Sequence, residues 1–230
     1  MGAVNQLVLD LKAASLWSKF HALYPFVGGT ADTHKFNLKD PRNLDAAYRL
    51  TYHGAGVTHS NFGMTPKNLP LGYAQTYFVP LDNLPTASSQ MSYYSRTQIL
   101  GSHADMGNYG STKRQHLLIG WGSGLFYYGQ MDPGAVSVAN PNTQGLFCGS
   151  RTDASSMAAY RNGTQIATST AAAIAQGGEG TWIGGISTYT VGGSSRQCAF
   201  ASISEGLDAT ENADLYTAVQ TFQTTLGRQV

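Results

Sequence analysis

The segment AAYRNGTQIATST, residues 158–170, determines how the rest of the chain is interpreted. At its centre, Asn162 and Gly163 separate two short runs that alternate in polarity and carry little charge. Both residues of an Asn-Gly pair accept a positive φ, which the tight turns of β-hairpins require. The segment therefore predicts a β-hairpin with a two-residue turn.

The two-residue turn also sets the pairing of the hairpin. It places Tyr160 opposite Gln165 and Ala159 opposite Ile166. Successive side chains of a strand point to opposite faces, so Tyr160 and Gln165 share one face. The other face, which we expect to point at the core, carries Met157, Ala159, Ile166 and Thr168.

Asn162-Gly163-Thr164 also matches the acceptor pattern for N-glycosylation. That modification needs secretory targeting, and the N-terminal segment MGAVNQLVLDLKAAS lacks the basic start of a signal peptide. Asp10 and Lys12 interrupt its apolar run, which argues against a membrane span there as well. We therefore interpret the motif as a turn.

Outward from the hairpin, the chain divides into a strand-rich middle between two helical ends. From about residue 30 to residue 204, short apolar or alternating runs are separated by Gly, Pro, Asn and Ser clusters, which is typical of a β-sandwich or barrel. Residues 1–24 are predicted to be a helical segment. A second helix is predicted over residues 208–227, where Asp208 and Glu211 have the spacing of a capping box. With no linker or repeat, 1–230 is interpreted as one domain.

The composition narrows the classes of partner. Among 230 residues the charged side chains make up 12%, and the formal net charge is +1. A chain with so little net charge is a poor candidate for electrostatic capture of nucleic acid or of an anionic membrane. Cys148 and Cys198 both lie in strand-like contexts, and we expect them to be free, buried thiols.

Three sequence motifs follow one another in the last third of the chain. They are a Tyr-x-Asn-Gly hairpin (AAYRNGTQIATS), a strand with Ile-Gly-Gly (TWIGGIS), and a last strand leading to an acidic helix start (CAFASISEGLDATENADLYTAV). Their order resembles the concanavalin A-like lectin/glucanase superfamily, in particular its laminin-G-like and pentraxin-like sandwiches. The resemblance implies a mainly β, concanavalin A-like jelly-roll sandwich with N-terminal and C-terminal helices. The stretches ALYPFVGGTADTHKFNLKDP and TFQTTLGRQV resemble a variant found in Bacteroides-type bacteria and in virion or tail proteins of their phages.

The motifs of catalysis and metal binding are missing. Sugar hydrolases of this superfamily carry a Glu-x-Asp-x-Glu strand that presents two carboxylates on one face. The chain's glutamates, Glu179, Glu205 and Glu211, do not form that pattern. The histidines and cysteines lack zinc-ligand spacing, and loop Asp and Asn residues lack the spacing of a calcium cage. We therefore predict no enzyme and no cofactor, although calcium stays an option because many relatives of the fold bind it.

Aromatic side chains of the strand-rich middle are the candidate binding residues: Tyr94, Trp121, Tyr127 and Tyr128. An outward ring could stack on a sugar or anchor a protein partner, whereas an inward ring would only fill the core. We predict a binding or structural module on a virion or extracellular surface, engaging a host glycan or a neighbouring virion protein. Homo-oligomer formation, a hydrolase with an unrecognised site and a purely structural assembly domain remain alternatives.

Overall fold

The computed structural model describes residues 2–110, 114–129, 135–187 and 192–230. Its long helices are α1 (Ala3–Ala13) and α4 (Ala209–Thr225), and its one-turn helices are α2 (Ala31–His34) and α3 (Pro80–Asn83). The strands are β1 (Phe20–Tyr24), β2 (Thr51–His53), β3 (Thr58–Ser60), β4 (Gly63–Thr65), β5 (Tyr73–Gln75), β6 (Ser89–Ser95), β7 (Met106–Tyr109), β8 (Arg114–Trp121), β9 (Leu125–Gly129), β10 (Val136–Ala139), β11 (Gly145–Asp153), β12 (Ser156–Arg161), β13 (Thr164–Ser169), β14 (Trp182–Ile183) and β15 (Cys198–Ser204).

The strands form two antiparallel sheets, which confirms the predicted mainly β sandwich with a helix near each end. The first sheet has the order β13-β12-β11-β6-β15-β4-β3, and β1 pairs with β15 beside β4. The second sheet has the order β10-β9-β8-β7-β14-β5-β2. Among the described helices, none is long and apolar enough to cross a membrane.

The core lies between the two sheets and is filled by inward side chains of both. The first sheet contributes Met91, Tyr93 and Phe147, among others, and the second contributes Leu117, Phe126 and Tyr128. Removal of this apolar surface from water is the main force that holds the sheets together.

A second apolar layer covers the outer face of the first sheet. Leu7 and Leu11 of α1 and Leu215 and Phe222 of α4 pack there with outward strand residues such as Tyr94. As a result β6 is buried along its whole length. The first sheet is thus enclosed on one face by helices and on the other by the second sheet.

The N-terminal segment differs from the prediction, because only part of residues 1–24 is helical. α1 ends at Ala13, Ser15 has a positive φ of 59°, and Phe20–Tyr24 is strand β1. Leu23 joins the helix-covered layer and Tyr24 joins the inter-sheet core. A strand can supply both layers because its side chains leave in two opposite directions, whereas periodicity alone does not separate these alternatives in a short apolar run.

The opening hairpin and the C-terminal helix follow the predicted local rules, with one register difference. Tyr160 pairs with Gln165 as predicted, but a bulge then places Ala159 opposite Ala167 rather than Ile166. At the start of α4, Asp208 accepts from the Glu211 amide at 2.9 Å, while Glu211 accepts from the Asp208 amide at 3.0 Å. This reciprocal pair is the predicted capping box.

The close packing of the inter-sheet core leaves no space for a side chain at Gly149, and this can be tested. A Cβ atom added there would lie 1.9 Å from the Tyr128 ring, and both residues are enclosed by the sandwich. We expect Gly149→Ala to lower the free energy of unfolding by roughly 1–3 kcal/mol, because the ring must move in a closely packed interior. Urea denaturation measures the effect.

The matched control is Gly180→Ala, since a Cβ there meets nothing within 4 Å. We expect this variant to keep nearly the parent stability. Equal stability of the two variants would contradict the described packing of Tyr128.

Candidate binding face

α1 and α4 cover the outer face of the first sheet, but they do not cover the outer face of the second sheet. Three neighbouring strands at one side of it, β14, β5 and β2, carry an aromatic row. Ala74 and Ile183 point into the core, so the alternation of β5 and β14 sends Tyr73 and Trp182 outward. His53 of β2 pairs with Tyr73 across the strands.

The three side chains form a stack of rings, here called the ring stack (His53, Tyr73 and Trp182). The Tyr73 and Trp182 ring centroids lie 3.6 Å apart with planes 12° from parallel, and the His53 and Tyr73 centroids lie 5.1 Å apart at 21°. All three residues are half-buried. Rings that support one another in this way are held in fixed positions while part of their surface stays open to solvent.

Polar side chains border the ring stack. Thr51 and Gln75 pair across β2 and β5, and alternation places them on the same face as Tyr73. The Tyr77 hydroxyl donates to Thr51 Oγ1 at 2.9 Å. Burial and the neighbouring Tyr77 raise the pKa of Tyr73, so its phenol is neutral at physiological pH. The face thus combines aromatic surface with neutral hydrogen-bonding groups, a combination typical of ligand sites.

Two of the four predicted binding residues are buried. Tyr94 lies under α4, where its hydroxyl donates to Gln220 Oε1 at 3.0 Å and accepts from the Val230 amide at 3.0 Å. Tyr128 lies in the inter-sheet core with no exposed surface. The Tyr94 ring points away from the inter-sheet core, but α4 covers that face, so the ring is not accessible to a ligand.

Trp121 and Tyr127 are half-buried and pack with Leu118 and Ile186 in a small apolar cluster. Since Leu117 and Phe126 point into the core, alternation places Leu118 and Tyr127 on the outer face, the same face as the ring stack. Sequence reasoning missed His53 and Tyr73. The alternation of Tyr73, Ala74 and Gln75 within GYAQ is the signal that could have found Tyr73.

A pair of histidines elsewhere has the geometry of a hydrogen bond rather than of a metal site. His34 Nδ1 and His59 Nδ1 lie 3.0 Å apart, and the Gly29 amide donates to His34 Nε2 at 3.2 Å. A neutral imidazole that accepts at Nε2 carries its proton on Nδ1, so His34 donates to His59. Within the described residues no three His, Cys, Asp or Glu side chains are grouped to hold a metal.

Both cysteines are free and buried, as predicted. Cys148 lies in the helix-covered layer and Cys198 in the inter-sheet core. Burial raises the pKa of the Cys148 thiol to about 12. Neither thiol is therefore placed for nucleophilic chemistry, which needs an accessible thiolate.

Several solved structures share this fold at low sequence identity. Domain 4 of AbnA, a GH43 extracellular arabinanase from Geobacillus stearothermophilus solved in complex with arabinotriose, matches with a TM-score of 0.59 at 14% identity, covering 86% of this chain and 98% of that one. The binding domain of botulinum neurotoxin serotype G matches with a TM-score of 0.54 at 12% identity, covering 86% of this chain and 50% of that one. The serotype D binding domain matches with a TM-score of 0.53 at 10% identity, covering 89% and 52%.

These likenesses show the fold, a jelly-roll-like β-sandwich. The chain spans about half the length of the toxin structures that it matches. No protein-family model matches the chain, and a search of curated proteins returned no similar sequence.

Because of the histidine pair, we expect the free energy of unfolding to fall at acidic pH. Burial, with smaller contributions from His59 and Arg228, lowers the pKa of His34 from 6.5 to about 4. Between these values unfolded His34 binds a proton and folded His34 does not, so stability falls as the pH drops from about 6.5 toward 4. We expect a loss of roughly 2 kcal/mol between pH 7 and pH 5 from this residue, measured by urea denaturation at both pH values.

His34→Gln supplies the control, because an amide can replace both hydrogen bonds without titrating. Its unfolding free energy should depend less steeply on pH than that of the parent. An unchanged dependence would mean that His34 does not carry the effect.

Proposed function

We propose that the protein is a non-enzymatic glycan-binding module, with the ring stack and its polar border as the binding surface. The observation that carries the proposal is the placement of the rings of Tyr73 and Trp182, stacked and half-exposed on the sheet face without a helix layer. Sugar rings have apolar faces that stack on aromatic rings, while their hydroxyls need hydrogen-bonding neighbours. Thr51 and Gln75 are such neighbours.

The structural comparisons support a binding role over a catalytic one. The arabinanase domain was solved with an arabinose oligosaccharide, and the toxin structures are binding domains. Each shares the β-sandwich with this chain. For this chain we carry over only the class of ligand, a carbohydrate, because the sequence identities are low.

The glutamates give no support to the hydrolase alternative. Glu211 forms the capping box of α4 and a salt bridge with Lys19. Glu179 is exposed in a turn. Retaining and inverting glycosidases need two carboxylates facing each other across the bond that breaks, and the contacts of Glu211 give it a structural role.

The proposed setting is a virion or another extracellular surface, as the sequence resemblance implies. In that setting the module would attach a particle to host glycans. A neighbouring virion protein is the alternative partner, and it would use the same aromatic surface as an anchor.

A glycan array tests the proposal. We expect the full chain to bind a set of glycans and Trp182→Ala to weaken that binding about tenfold or more, since removal of a central aromatic anchor commonly costs 2 kcal/mol or more. Tyr73→Ala should also weaken binding, because the Tyr73 ring stacks on Trp182 and supports its position. Phe62→Ala is the matched control, because it removes an aromatic ring that is 47% exposed in the segment between β3 and β4 of the other sheet.

Thermal unfolding of each variant separates lost binding from lost folding, and light scattering reports the size of the particle. If the parent binds no glycan and forms a stable oligomer, the lectin interpretation is wrong and an assembly role replaces it. Binding that survives in the folded Trp182→Ala variant would instead move the site away from the ring stack.

A further inference from the structure

A small groove lies on the helix-covered side of the first sheet, at its outermost strand β13. Its volume is about 180 Å³, and it runs beside the start of α4. Most of the lining side chains carry a hydroxyl, amide or carboxylate group. The lining residues are Ser150, Thr152, Ser156, Ala158, Tyr160, Gln165, Thr168, Asp208 and Ala209.

The β-bulge of the opening hairpin builds one wall of this groove. Gln165 lies opposite Tyr160, and Thr168, three positions further along the chain, lies opposite Ala158. In a regular strand an odd separation sends two side chains to opposite faces. The extra residue at Ile166 cancels that alternation, so both polar side chains line the groove. Bulges often re-aim side chains in this way beside binding sites.

The groove also holds hydrogen-bonding capacity that the fold leaves nearly unused. Tyr160 is only 3% exposed, and its hydroxyl reaches Gln165 Oε1 at 3.5 Å, the outer limit of a hydrogen bond. Asp208 is exposed; its Oδ1 accepts from the Glu211 amide, and its Oδ2, open to solvent, accepts no bond from the described part of the chain. A ligand with several hydroxyl groups would satisfy both side chains.

We propose that this groove binds one uncharged sugar unit, independently of the ring stack on the opposite sheet. The size favours a single ring, because pockets for larger ligands measure about 300 Å³ or more. The lining includes the Asp208 carboxylate and no cationic side chain, so a uronic or sialic acid would be repelled. The methyl groups of Ala158 and Ala209 and the Tyr160 ring supply the apolar contact.

Amide chemical shifts of the full, isotopically labelled chain test the proposal. The probes are D-glucose, D-galactose, D-mannose and L-arabinose as neutral sugars, and D-glucuronate as the charged counterpart. We expect at least one neutral sugar to shift the amides of Ala158, Gln165 and Ala209 in a saturable way, and glucuronate to bind there at least tenfold more weakly.

Gln165→Ala should weaken this binding about threefold to tenfold, the loss of one hydrogen bond. Gln165 is exposed, so the variant should fold. Thr164→Ala, an exposed change in the same strand outside the groove, should leave the affinity unchanged, and so should Trp182→Ala.

Three results would each overturn the proposal. They are an absence of saturable shifts with every neutral sugar, equal binding of glucuronate, and loss of the shifts in Trp182→Ala. Because the groove and the ring stack lie on different sheets, failure of one site leaves the other measurable in the same titration.

Discussion

The docking of α1 and α4 on the first sheet is the interaction on which the rest of the structure depends. It converts a two-layer sandwich into three layers and buries the whole length of β6. Arg228, just after α4, secures this layer. Its guanidinium is buried and donates to the carbonyl oxygens of Pro25 at 2.6 Å and Ala199 at 3.0 Å, and its Nε donates to Gln223 Oε1 at 2.6 Å.

Arg228 has no carboxylate partner among these contacts, so carbonyl dipoles compensate its charge. Burial, together with the like charge of Arg96, lowers its pKa to about 10, which still leaves it charged at neutral pH. A buried cation is tolerated only when hydrogen bonds replace its hydration. The C-terminal segment is therefore fixed to the sheet by several bonds from one side chain, and the outer face of the first sheet stays closed along β6.

The second sheet, whose outer face α1 and α4 leave uncovered, is stabilised by a buried ion pair. Arg196 and Asp105 are fully buried and joined at 2.9 Å, and Asp105 Oδ2 also accepts from the Ile119 amide at 2.7 Å. Arg196 donates to the carbonyl of Gly120, next to Trp121. Fixed strands under half-buried rings reduce the entropy lost on binding, which suits the aromatic face to the proposed recognition role.

The sequence predicted those features that short-range rules govern. The Asn162-Gly163 turn, the Asp208 capping box and the strand-rich middle follow from local backbone preferences, and the structure contains each of them. Tyr94 shows that these local rules do not predict solvent exposure. Alternation gives the direction of its ring, but only the packing of α4, more than a hundred residues away, decides whether that direction is solvent.

The aromatic site depends in the same way on long-range pairing. His53, Tyr73 and Trp182 come from three strands, and each of those strands contains only two or three residues. No local pattern indicates that β14 pairs with β5, so their rings could not be assigned to one stack from the sequence. The β1 segment was likewise ambiguous, because its pairing with β15 is what makes it a strand.

The most direct test of the central claim is a crystal structure of the full chain with a glycan selected on the array. We expect a sugar ring packed against Trp182, with its hydroxyls bonded to the polar border at Thr51 or Gln75. A glycan bound only at another surface, with the ring stack unoccupied, would contradict the assignment of the open sheet face as the recognition surface.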